Sequence, residues 1–102
     1  MSNIFKKLFG RPENLKSILG NGAIIVDVRT TEEFRSGHIE GALNVPLDRL
    51  KASLGDLKKH GKPVIVCCMS GTRSAMALNL LSQAGIEAYN GGGWDALKKI
   101  IR

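Results

Sequence analysis

The chain has 102 residues, of which 43% are hydrophobic and 24% are charged. That length is near the commonest size of one domain, and the balance of residue types excludes a disordered or fibrous chain. The 15 Lys and Arg residues outnumber the 9 Asp and Glu residues, and the formal charge of +6 favours anionic partners. Aromatic residues make up only 5% of the chain, and no nucleic-acid motif is present, so we expect no nucleic-acid partner.

The first residues of the chain carry an amphipathic pattern. Their apolar members recur at helical spacing, with lysines between them: Ile4, Phe5, Leu8 and Phe9. The pattern predicts a helix docked on the domain or, alternatively, weak attachment to a membrane surface. No apolar run is long enough for a secretory signal or a transmembrane segment. We expect an amphipathic segment over 1–11, a single domain over 12–102, a monomer and a cytoplasmic location.

The next elements are a helix, a strand and a second helix. Residues 12–19 predict a short helix, with Pro12 early and Gly20 after its end. The continuous β-branched run over 23–28 predicts a strand that is buried on both faces of a parallel sheet. Thr30 and Glu33 have the spacing of a capping box and predict the start of the second helix.

Two strands and a helix follow in the middle of the chain. Residues 42–45 predict a short strand that ends at Pro46, and residues 47–57 predict a helix that is broken or bent near Gly55. Residues 64–67 predict the third strand, after the turn residues Gly61 and Pro63.

The last part of the chain repeats the alternation. A helix is predicted from Arg73 to Ala84, apolar on nearly every side and therefore buried, with Gly85 as its stop signal. Residues 86–89 predict a strand, 91–93 a turn, and 94–101 a closing helix. Strands that alternate with helices in this way predict an α/β domain with a mainly parallel sheet.

The loop between the third strand and its helix carries the strongest chemical signal. Cys68 falls at the carboxyl end of a predicted strand, where parallel sheets bind ligands, and directly before a helix N-terminus, which favours a thiolate. Gly71 permits an inward-turned nest of N–H groups, and Arg73 adds a positive charge. The competing interpretation is a small buried hydrophobic residue. The two adjacent cysteines have neither disulfide geometry nor metal-ligand spacing, so we expect no metal and no cofactor.

These residues resemble the rhodanese-like domains. The run from Cys68 to Ser74 is similar to their active-site pattern Cys-x-x-Gly-x-Arg-Ser, and the segments 25–29, 37–46 and 90–94 resemble further blocks in the same order. The resemblance implies a rhodanese-like fold with a central, mainly parallel five-stranded sheet flanked by helices on both faces. It also implies a sulfurtransferase that moves a sulfane sulfur through a cysteine persulfide.

The resemblance also assigns roles to individual residues. Cys68 is implied as the nucleophile, and Arg73 as the residue that closes the loop and helps to hold the anion. The predicted cradle is the rest of the loop: Met69, Ser70, Gly71 and Thr72. Arg29 either steers anionic donors or forms a structural ion pair. The implied partners are a small anionic donor, such as thiosulfate or the persulfide of a partner protein, and a thiol or cyanide as acceptor.

Two alternatives to a sulfurtransferase remain open from the sequence. Counted from Cys67, the loop has the longer signature of cysteine phosphatases, and some phosphatases and arsenate reductases share the rhodanese fold. Counted from Cys68, it has the sulfurtransferase length, with Gly71 at the required position. The loop also contains no acidic residue that could protonate a phosphatase leaving group. The second alternative is a module that binds a partner without chemistry, although such modules usually lack the cysteine.

Overall fold

A computed structural model describes residues 14–102, in which a parallel sheet lies between two layers of helices. The strands are β1 (Ile24–Asp27), β2 (Leu43–Asn44), β3 (Val64–Cys68) and β4 (Ala88–Gly93). Their order in the sheet is β2-β1-β3-β4, and every neighbouring pair is parallel. The carboxyl ends of β1 and β3, with Asp27 and Cys68, therefore meet at one edge of the sheet.

Five helices connect and cover the strands of the described part. They are α1 (Leu15–Gly20), α2 (Thr31–Ser36), α3 (Leu47–His60), α4 (Thr72–Gln83) and α5 (Trp94–Ile101). One face of the sheet packs against α3 and α4 through residues such as Leu50 and Leu81. The other face packs against α1 and α5 through Leu15 and Leu97. The predicted helices on both faces of an α/β sheet are thus confirmed. Within residues 14–102, no helix is long and apolar enough to cross a bilayer.

The helix α2 begins where its sequence signal placed it. The Thr30 side chain accepts a hydrogen bond from the Glu33 N–H, and the Glu33 carboxylate accepts one from the Thr30 N–H, which completes the capping box. The helix lies on the carboxyl-edge side of the sheet because it directly follows β1. This position brings Glu33 toward the loop after β3.

Several expectations about the elements need correction. The five-strand expectation is wrong for residues 14–102, which form the four strands that the residue patterns predicted. The predicted turn over 91–93 is instead the end of β4, which pairs with the last residues of β3. The helix α3 runs unbroken through Gly55, and α4 leaves Met76 exposed on its outer side. The predicted amphipathic segment over 1–11 lies outside the described residues.

Candidate active site

The strand β3 turns the two adjacent cysteines to opposite faces of the sheet, because successive strand residues alternate. Cys68 belongs to the core cluster under α3 and α4, together with Val66. Cys67 belongs to the cluster on the other face, together with Ile65. Since α4 begins just after the strand, only Cys68 points to the side on which the helix N-terminus lies.

The sulfur of Cys68 is surrounded by hydrogen-bond donors from the loop and from the first turn of α4. The N–H of Gly71 donates to Sγ at 3.0 Å, and the N–H of Ser74 donates to it at 3.3 Å. The hydroxyl of Ser74 lies 3.5 Å from Sγ. Only 1% of Cys68 is exposed, so its sulfur is a buried hydrogen-bond acceptor at the bottom of the loop.

The two thiols differ in acidity because of these surroundings. Burial acts to raise the pKa of Cys68, but its hydrogen-bond contact with the Ser74 hydroxyl and the hydrogen bonds from the N–H groups of Ser74, Gly71 and Ser70 together lower it. Burial and the nearby carboxylate of Asp27 raise the pKa of Cys67 to about 12. Cys68 is therefore the thiol that this site favours as a thiolate.

Backbone geometry shapes the predicted cradle. Gly71 has a φ of 108°, which a residue with a side chain rarely adopts, and this conformation turns its N–H toward the sulfur. Met69 is 53% exposed, and Ser70 and Thr72 are also exposed. The loop therefore surrounds the sulfur mainly with main-chain groups, and its outer side chains face the solvent.

Arg73 does not point into the cradle as a free cation. Its guanidinium forms two hydrogen bonds with the Glu33 carboxylate, at 2.7 and 2.9 Å, and so joins the start of α4 to α2. These bonds, together with the hydrogen bond from the Thr30 N–H, lower the pKa of Glu33 to about 2. Both roles predicted for Arg73, closing the loop and helping to hold a bound anion, stay predictions.

Arg29 is buried, with 1% of the residue exposed, and its guanidinium forms hydrogen bonds within the protein. It donates to both carboxylate oxygens of Asp27, the shortest bond being 2.7 Å, and to the carbonyl oxygen of Gly37 at 2.7 Å. It also lies 4.6 Å from the ring centroid of Trp94. These contacts are those of the structural ion pair that the sequence left open. They do not support Arg29 as a residue that binds or steers the donor.

A cleft of about 440 Å³ opens beside the loop. Met69 and Trp94 give it apolar walls, and Glu33 and Asp95 give it acidic ones. Arg29 also lines the cleft, but its charge is paired with Asp27. The cleft adjoins the loop through Met69.

Sequence reasoning missed two residues of this site, Glu33 and Asn90. Glu33 carried a visible signal, but only as a helix cap. The Asn90 side-chain oxygen lies 2.7 Å from the Ser74 hydroxyl and accepts the N–H of Gly92 at 2.8 Å. Its place before a run of glycines gave no chemical signal, because the contact with Ser74 depends on how β4 lies beside α4.

Comparison with known proteins identifies the family. The model of the Rhodanese-like domain matches residues 11–99. The chain belongs to the rhodanese-like domain family. The resemblance stated from the sequence is thereby confirmed.

The relatives of this rhodanese-like chain include a protein named as a sulfurtransferase. Thiosulfate sulfurtransferase 18 of Arabidopsis thaliana is 35% identical over 96 residues, which cover 79% of this chain and 71% of that protein. The uncharacterized protein YibN of Escherichia coli K12 is 40% identical over 81 residues, which cover 78% of this chain. The aligned part spans 57% of YibN, little more than half of its length.

Solved structures agree with this assignment of the fold. A rhodanese with anions from E. coli superposes with a TM-score of 0.67 at 30% identity. The superposition covers 72% of this chain and 89% of that structure. The two proteins thus share the rhodanese-like fold over most of the solved structure and nearly three quarters of this chain.

Proposed function

We propose that this rhodanese-like protein transfers a sulfane sulfur through a persulfide on Cys68. In the first step, the Cys68 thiolate attacks the outer sulfur of an anionic donor, for which thiosulfate is the simplest case. A sulfur–sulfur bond forms to Cys68 while the sulfur–sulfur bond of thiosulfate breaks, and sulfite leaves with the electron pair. The covalent intermediate divides one difficult transfer into two easier ones.

The second step returns the enzyme to its starting state. A thiolate or cyanide attacks the outer sulfur of the persulfide, and the Cys68 sulfur leaves as a thiolate. The acceptor becomes a persulfide or thiocyanate, so sulfur and charge balance without a cofactor. A donor that is itself a persulfide, on a small molecule or on a protein, would load Cys68 by the same displacement.

One observation carries this proposal. The Cys68 sulfur accepts N–H groups from Gly71 and Ser74 at the N-terminus of α4, and these contacts favour the thiolate both as nucleophile and as leaving group. The first N–H groups of a helix have no partner inside the helix, so the start of α4 also suits the negative charge of a donor. This supports anion binding by the backbone, whereas the guanidinium of Arg73 is paired with Glu33.

The longer-loop alternative, a phosphatase or arsenate reductase, would use Cys67 as its nucleophile. That cysteine is fully buried on the opposite face of the sheet, and its pKa is raised to about 12. A neutral, buried thiol is a poor nucleophile. The geometry therefore favours the sulfurtransferase length of the loop.

The proposal is tested by measuring the mass of the intact protein after exposure to thiosulfate. We expect one added sulfur atom, its removal by cyanide or a thiol, and ping-pong kinetics. Cys68→Ser should lose both the added mass and turnover, because a hydroxyl is a weak nucleophile at its ordinary pKa. Cys67→Ser is the matched control and should keep most of the activity.

The opposite pattern would refute the proposal. One such result is that neither thiosulfate nor a polysulfide ever loads Cys68, while Cys67→Ser abolishes hydrolysis of an aryl phosphate. The nucleophile would then be Cys67, as in the cysteine phosphatases. Loading of sulfur on Cys67 would likewise overturn the assignment of the nucleophile.

A further inference from the structure

The Ser74 hydroxyl has one proton and three acceptors within reach. Its oxygen lies 2.7 Å from the side-chain oxygen of Asn90, 3.0 Å from the carbonyl oxygen of Gly71 and 3.5 Å from the sulfur of Cys68. Ser74 is completely buried, so water does not supply further donors to this group. The acceptor that holds the proton therefore determines whether the hydroxyl can donate to the sulfur.

The orientation of the Asn90 amide is fixed by its second contact. The N–H of Gly92 lies 2.8 Å from the Asn90 side-chain oxygen, and a backbone N–H can only donate. The oxygen of the amide must therefore face both Gly92 and Ser74. The Gly71 carbonyl oxygen can also only accept, and of the two contacts that need the hydroxyl proton, the one with Asn90 is the shorter, at 2.7 Å against 3.0 Å. With the proton directed to Asn90, the lone pairs of the hydroxyl are left to accept the S–H of Cys68.

This arrangement suits the thiol but not the thiolate. When Cys68 loses its proton to the solvent, the lone pairs of Ser74 would face a negative sulfur unless the hydroxyl rotates to donate to it. We propose that Asn90 is a positioning residue for Cys68, which holds the Ser74 proton while Cys68 is uncharged and releases it to the sulfur when the thiolate forms. Asn90 would then oppose the thiolate, and a thiolate that is less stabilised is a stronger nucleophile.

This role deepens the proposed function, because it rests on Cys68 as the reactive thiol. In the transfer cycle, the sulfur is charged before loading and uncharged in the persulfide. The hydroxyl would donate to Cys68 in the first state and return to Asn90 in the second. No proton is gained or lost by Ser74, since only its direction of donation changes.

Charged or titratable groups also lie near the sulfur. Arg73 belongs to α4, Cys67 to β3 and Asp27 to β1, and electrostatic interactions connect Arg73 with Cys68 and with Asp27, and Cys67 with Cys68 and with Asp27. None of these residues is changed in the experiment below. Their effects on Cys68 therefore cancel when variants at Asn90 and Ser74 are compared.

The test measures the pKa of Cys68 from the pH dependence of its alkylation by iodoacetamide, located by mass spectrometry. Asn90→Ala removes a competitor for the hydroxyl proton and should lower the pKa of Cys68. The Asn90→Asp side chain has nearly the same shape, but its carboxylate accepts hydrogen bonds more strongly and adds a negative charge. This variant should therefore raise the pKa of Cys68 by about one pH unit. Since the added charge of Asn90→Asp also acts on the sulfur directly, the role of the hydroxyl is tested by a second comparison.

The same substitutions in a Ser74→Ala background separate the hydroxyl from other effects. There, Asn90→Ala should leave the pKa of Cys68 unchanged, and Asn90→Asp should raise it less than in the native background. Equal shifts with and without the Ser74 hydroxyl would overturn the role of Asn90. If Asn90→Ala does not fold, the two Asn90→Asp measurements decide alone. Alkylation at Cys67 instead of Cys68 would refute the proposed function itself.

Discussion

Arg29 and Asp27 place two formal charges out of water beneath the rim of the candidate site. Both residues are almost completely buried, and the guanidinium satisfies the carboxylate through several hydrogen bonds. Removing one member of such a pair leaves the other as an uncompensated buried charge, which is much more costly than removing both. This physical asymmetry gives Arg29 a structural role that can be measured apart from sulfur transfer.

We expect Arg29→Ala to lower the free energy of unfolding by about 3–5 kcal/mol, measured by urea denaturation. The double variant Asp27→Asn with Arg29→Ala should lose less, because the carboxylate charge is removed as well. Unchanged stability of Arg29→Ala, combined with a large loss in the rate of thiosulfate loading, would contradict the structural role and favour the steering of anionic donors.

The helices α2 and α4 are joined at the site by the ion pair between Glu33 and Arg73. The folded protein holds the pKa of Glu33 near 2, below its ordinary value of 4.5. A carboxyl whose pKa is lowered by folding stabilises the protein while it is ionised in both states, which is above the ordinary value. This stabilisation is lost as the pH falls from 4.5 toward 2.

Glu33→Gln should therefore reduce stability at neutral pH, and the difference from the native protein should shrink as the pH falls through this range. Thermal unfolding followed by circular dichroism at several pH values measures the effect. Glu32→Gln is the matched control, because Glu32 is an exposed carboxylate in the same helix. A difference between native protein and Glu33→Gln that stays constant with pH would show that the ion pair does not contribute.

The elements themselves were largely predictable, and the exceptions have physical reasons. Glycine in a helix costs only about 1 kcal/mol relative to alanine, so α3 continues through Gly55 because Leu50 and Leu57 are buried on either side of it. The predicted turn over 91–93 is part of β4 because its backbone packs against the loop. A Cβ on Gly93 would lie 2.8 Å from the carbonyl oxygen of Met69. Such close approach suits glycine in a strand.

In the site, contacts between residues close in the sequence could be predicted, and contacts between distant elements could not. The N–H groups around Cys68 belong to a short strand-to-helix turn, so a nest of N–H groups at Gly71 could be predicted from the sequence. The partner of Arg73 was not predicted, because Glu33 reaches it only through the packing of two helices. Asn90 was missed for the same reason, since it comes from β4.

Across the whole molecule, a formal charge of +6 surrounds a site whose own arginines are paired with carboxylates. The attraction of an anionic donor should therefore come mainly from the general field of the basic surface and from the helix N-terminus. Salt weakens such a field, whose range at physiological ionic strength is about 8 Å.

We expect the rate constant for loading of Cys68 by thiosulfate to fall several-fold between low salt and physiological salt. Alkylation of Cys68 by iodoacetamide, which is uncharged, is the control, and its rate should change little. Rapid mixing followed by mass spectrometry measures both. A thiosulfate rate that does not respond to salt would show that the net charge of the protein does not guide the donor.

The hydrogen bonds around Cys68 and the ion pair between Arg73 and Glu33 differ in the sequence separation of their partners. The hydrogen bonds to Cys68 join residues 3 and 6 positions apart, whereas Arg73 and Glu33 are 40 positions apart. Contacts between near neighbours close only a short loop and form early, while distant contacts must wait for the chain to compact. The anion site can therefore assemble as soon as β3 and α4 pack, before the closing ion pair exists. By the same reasoning, a partly opened molecule that has released α2 would still hold a cradle for sulfur.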